Sequence, residues 1–78
     1  MAMINLNHFE KKIKDRNQIQ EKVNASYSVF TVHGEKYFQI DTYGTLNRKI
    51  LNKTSQTLQF DKESAIKIIE LLRKEYNI

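Results

Sequence analysis

Seventy-eight residues with a formal charge of +4, 40% hydrophobic content, two glycines, no proline and no cysteine describe one small domain with one modest core. The missing cysteines exclude disulfides and thiolate metal sites, and no apolar run approaches the roughly 20 residues a membrane helix requires. The amino end, Met1-Ala2-Met3-Ile4-Asn5, lacks the basic and apolar regions of a signal peptide, so a cytoplasmic protein is expected. The positive excess is uneven. Residues 1–22 hold five basic and three acidic side chains, residues 23–60 hold four and two, and residues 61–78 hold four of each.

In chain order, residues 4–22 read as an amino-terminal helix. Leu6, Phe9 and Ile13 recur at helical spacing, Glu10 stands four before Lys14, and Asn5 or Asn7 can cap the start. Ile19 falls off that stripe, and Asp15-Arg16-Asn17 predicts a break or a frayed second half. From Val23 the period changes to two. Ser28, Phe30 and Val32 alternate with Tyr27, Val29 and Thr31; His33-Gly34-Glu35-Lys36 then supplies a turn, and a second strand follows over 37–43. Residues 45–53 form a basic loop carrying Arg48, Lys49 and Lys53, and residues 55–60 form a third strand.

Asp61 is a good N-cap, with Glu63 in the first turn of a helix from about Lys62 to Tyr76. Ala65, Ile68, Ile69, Leu72 and Tyr76 share one face of it, widened by Ile66 and Leu71, while Glu63, Lys67, Glu70 and Lys74 occupy the other. So wide an apolar arc exceeds what one side of a three-stranded sheet requires. Ile66, Ile69, Leu72 and Tyr76 are therefore candidates for a homodimer interface, the natural way for so short a chain to enlarge its core. The expected fold is α+β in a single domain, 1–78: a helical segment over 1–22, a three-stranded antiparallel meander within 23–60, and a carboxyl-terminal helix over 61–78 packed on one sheet face.

Alternation assigns Phe38, Ile40, Leu58 and Phe60 to the inner face of the sheet and Tyr37, Gln39, Tyr43, Ser55, Thr57 and Gln59 to the outer. Tyrosine rings can stack on bases, amides and hydroxyls can bond to phosphates or base edges, and a cationic rim of Lys36, Arg48, Lys49 and Lys53 can neutralise a backbone. Tyr27, Lys36, Tyr37, Gln39, Tyr43, Arg48, Lys49, Lys53, Ser55, Thr57 and Gln59 are accordingly the candidate nucleic-acid-binding residues. Two other readings of that face stand beside it. Tyrosine and threonine favour strands in any case, and the amino-terminal helix could cover the face as a second core.

Catalysis is not expected. His8 and His33 are 25 positions apart with no ligand or triad partner at characteristic spacing, and Asp41 lacks a second acid–base group. No cofactor and no metal are expected.

The run Phe38-Gln39-Ile40-Asp41-Thr42-Tyr43, the basic loop with Arg48 and Lys49, and Lys53 and Ser55 leading into Leu58-Gln59-Phe60-Asp61 and a helix resemble the positive-cofactor-four family of transcriptional coactivators. The likeness covers roughly residues 27–75. It implies a curved antiparallel sheet on a helix, a homodimer made through those helices, and binding of single-stranded DNA by Arg48, Lys49, Lys53, Ser55 and Tyr43. Ile50-Leu51-Asn52 stands where that family has a glycine-bearing turn, and the amino-terminal segment has no counterpart in the family core. The functional expectation is a single-stranded nucleic-acid-binding module. The alternative is a small protein-interaction module, such as an accessory subunit, an inhibitor or a phage or mobile-element regulator.

Overall fold

The computed structural model describes residues 1–44 and 54–78. Among them the elements are strand β1 (Ala2–Met3), a single 3-10 turn (Leu6–His8), strands β2 (Ala25–Val32), β3 (Glu35–Thr42) and β4 (Gln56–Phe60), and helix α1 (Lys62–Tyr76). The strands form one four-stranded sheet in the order β1-β4-β3-β2. Its β2–β3 and β3–β4 pairs are antiparallel, and β1 lies parallel to β4, so the sheet is mixed.

Two expectations are corrected here. The predicted helix over 4–22 is absent: what forms is the one 3-10 turn, whose cap is Asn5, its side-chain oxygen accepting the Asn7 N–H at 3.1 Å. Leu6, Phe9 and Ile13 are too few apolar residues to hold a helix that no surface covers, since short helices depend on tertiary burial rather than propensity. Ile13 and Ile19 are 90% and 98% exposed. The second correction concerns the sheet. It is a four-stranded mixed sheet and not a three-stranded meander, because the chain's first residues give their backbone bonds to β4 and not to a helix. Ala2 and Met3 pair with Leu58 and Gln59, and the Ile4 N–H continues the ladder to the Gln59 carbonyl at 2.9 Å.

The hairpin obeys its sequence closely. His33 (φ 50°) and Gly34 (φ 80°) are both left-handed, the two-residue geometry whose twist matches that of the flanking strands. Asp61 caps α1 as expected, its carboxylate accepting the Ser64 N–H at 2.9 Å, and the helix ends with Asn77 in the left-handed region, its N–H returned to the Arg73 carbonyl.

Helix α1 follows β4 directly, and its closest backbone approach to the sheet is to that strand. Ile68 and Leu71 are half-buried and Ser64 is fully buried, and these three lie on one side of α1 with Glu75. The Lys11 ammonium stands 3.6 Å from Glu75, so the amino-terminal segment runs beside the last turn of α1. No hydrophobic side chain among the described residues is buried. The radius of gyration is 14.8 Å, against about 11.5 Å for a compact chain of this length. The accessible surface is 7529 Å², against about 5,000 Å² for a compact monomer of this mass.

Candidate interaction surfaces

Directly opposed residues in an antiparallel pair share a face, so the register sorts the side chains without ambiguity. Tyr27 and Val29 of β2 stand opposite Ile40 and Phe38 of β3, which stand opposite Leu58 and Phe60 of β4. Three rings cross this face in a row: Tyr27 stacks on Phe38 at 5.2 Å between centroids and Phe38 on Phe60 at 5.4 Å. Such offset aromatic pairs add to simple area burial. The ladder is nevertheless open, with Tyr27 70% exposed. At the hairpin end it runs into a groove of about 850 Å³ lined by Val29, Lys36, Phe38, Phe60 and Ala65.

The helix continues the same theme. Ile66, Ile69, Leu72 and Tyr76 are 48–72% exposed. With Ala65 they form the side of the apolar arc next to the one that carries Ser64, Ile68 and Leu71. One side of the arc meets the chain's own segments and the other meets water.

The opposite sheet face is polar and bonded to itself. The Gln59 amide donates to the Gln39 carbonyl oxygen at 2.7 Å, the Gln39 amide donates to both Asp41 oxygens at 3.1 Å, and the Thr57 hydroxyl donates to Asp41 at 2.7 Å. Asp41 is the hub of this network. Tyr43 shares a 2.6 Å hydroxyl–hydroxyl bond with Ser26. Tyr37 stacks on Phe30 at 5.5 Å and donates its hydroxyl to Glu35 at 2.9 Å, a bond that raises the phenol above its ordinary 10.0.

Of the candidate nucleic-acid residues, the structure therefore gathers Tyr37, Gln39, Tyr43, Thr57 and Gln59 on one face. Tyr37 and Tyr43 stand near opposite ends of β3, about 20 Å apart by strand rise. Tyr27 and Lys36 lie on the other face, because Tyr27 opposes Ile40 and Lys36 opposes Thr31. Ser55 precedes β4, where its N–H bonds the Thr42 carbonyl at 2.6 Å. Arg48, Lys49 and Lys53 lie outside the described residues. Among the described strand residues, the tyrosine-bearing face carries two carboxylates, Glu35 and Asp41, and no cation. The sequence reading missed this balance because Lys36, adjacent to Tyr37 in the chain, belongs by parity to the far face.

No known protein family, curated protein or solved structure matches this chain. No helix among the described residues is long and apolar enough to cross a membrane.

Proposed function

We propose that this chain is a non-enzymatic protein-interaction module that completes its core by association, in its simplest form a homodimer seated on Ile66, Ile69, Leu72 and Tyr76. One observation carries the reading: among the described residues no hydrophobic side chain is buried, while an aromatic sheet face and an apolar helix face both stand open. A single chain that leaves these surfaces wet forgoes about 1.5–3 kcal/mol for each large side chain it could bury. The surface in excess of a compact monomer is about 2,500 Å², and a standard interface takes about 800 Å² from each partner. Part of that excess belongs to the extended segment over 9–24, where Ile13 and Ile19 are 90% and 98% exposed. Residues 61–78 carry four charges of each sign, so two copies meet there without net repulsion.

The nucleic-acid reading is carried by the net charge of +4 and the Phe30–Tyr37 pair. It is weakened by Asp41 and Glu35, which place negative charge where phosphate would pass. Sedimentation equilibrium separates the two readings. The chain is expected to be at least dimeric at micromolar concentration, and Ile69→Glu to weaken the helix-face contact at least tenfold. Arg48, Lys49 and Lys53 replaced together by Ala should leave association intact. A chain that stays monomeric at high concentration and binds a labelled single strand with a steep salt dependence would overturn the proposal.

A further inference from the structure

Among the described residues, strand β2 is an edge of the sheet with no strand on its outer side, and it has none of the features that keep an edge from pairing. Its eight residues, Ala25–Val32, contain no charge and no proline, and the paired run with β3 is unbroken by a bulge. Natural edges are usually short, charged, bulged or covered, because their unpaired N–H and C=O groups otherwise template another strand. All eight residues of β2 are exposed.

The register shows which groups are free. The Tyr43 N–H bonds the Asn24 carbonyl at 3.0 Å, so Asn24 turns its backbone toward β3. By alternation Ser26, Ser28, Phe30 and Val32 do the same, and Ala25, Tyr27, Val29 and Thr31 turn their N–H and C=O groups outward. These four present four donors and four acceptors along one straight edge.

We infer that β2 pairs antiparallel with the β2 of a second copy of this chain about a two-fold axis at Ser28, joining two sheets into one of eight strands. In this register Ala25 opposes Thr31 of the other copy and Tyr27 opposes Val29, each twice. All four outward residues of each strand fall in hydrogen-bonded pairs, so every free group on the edge is used. The two Tyr27–Val29 pairs are aromatic against β-branched, a favourable cross-strand combination. They also join the two aromatic ladders into a single apolar surface. A second copy is the occupant that fits: the edge carries no charge, so two copies meet without like-charge repulsion, and the register about Ser28 pairs Tyr27 with Val29 twice. This edge is separate from the helix interface proposed above, and the two can stand or fall independently.

Because the chain has no cysteine, engineered thiols read the register directly. Ser28 meets its own symmetry mate in a non-hydrogen-bonded pair, with Cα atoms about 4.5 Å apart, within disulfide reach. Ser26 opposes Phe30 of the other copy, and its own mate lies about 13 Å further along, beyond that reach. Under mild oxidation Ser28→Cys is expected to form a disulfide-linked dimer nearly completely, and Ser26→Cys to remain unlinked. Val29→Pro removes an outward N–H without touching the β3 ladder. Added to Ser28→Cys, it should slow cross-linking about tenfold or more, with the far-ultraviolet spectrum unchanged. Absent cross-linking of Ser28→Cys, equal cross-linking of the two cysteine variants, or indifference to Val29→Pro would each overturn the inference. Ile69→Glu that reduces a larger assembly to dimers, with the Ser28→Cys disulfide still forming in that background, would separate this edge from the helix face.

Discussion

Ser64 is the one fully buried residue of the described chain, and its hydroxyl has no hydrogen-bond partner. An unpaired buried hydroxyl costs stability, whereas a methyl group in its place costs nothing and has the higher helix propensity. Ser64→Ala is therefore expected to raise unfolding stability by about 1 kcal/mol, read from the urea midpoint. Three residues earlier, the Ser64 N–H holds the Asp61 carboxylate below its ordinary 3.8. A lowered folded-state value means stability that is present above the unfolded carboxylate range and is lost as pH falls through the folded value. The cap is thus complete at neutral pH and fades in acid below about pH 4. Asn is an equally good cap that does not titrate. Comparison of urea midpoints at neutral and acid pH should show a smaller acid loss in Asp61→Asn than in the parent chain.

At the level of elements, local chemistry and tertiary choice part company. The hairpin was legible because His33-Gly34 interrupts two alternating runs, and the left-handed turn needs only those two residues. Helix α1 was legible because Asp61 caps it and its apolar period is sustained over four turns. The amino-terminal segment was not, since Leu6, Phe9 and Ile13 satisfy a helical template while Ala2-Met3-Ile4 is too short to announce a strand. Nothing within residues 2–4 says that β4 offers an open edge to them. The face of Tyr27 was misread for a related reason. Alternation within one strand is visible in sequence, but the phase between strands is set by the turn, and the two-residue loop places Tyr27 across from Ile40. The self-bonded network of Asp41, Gln39, Thr57 and Gln59 follows from the same phase and could be anticipated only in outline.

For the molecule as a whole, folding and association are one equilibrium if the apolar surfaces close only in the assembly. Unfolding temperature then depends on protein concentration. A hundredfold dilution removes about 2.7 kcal/mol per mole of dimer, which lowers Tm by roughly 5–10 °C for chains of this size. Scanning calorimetry over that range checks it, and a Tm indifferent to dilution would show that one chain alone accounts for the stability. Helicity should fall together with sheet structure, because α1 has little of its own chain to hold it.

The stacked rings of Tyr27, Phe38 and Phe60 have an optical consequence. The protein contains no tryptophan, so tyrosine alone dominates its near-ultraviolet signals. Tyr27 is the one tyrosine seated in that column of rings, and it is largely hydrated there. Any second surface laid over the column changes the polarity around a native chromophore, so the unlabelled protein should report its own docking as a shift in tyrosine absorbance and circular dichroism.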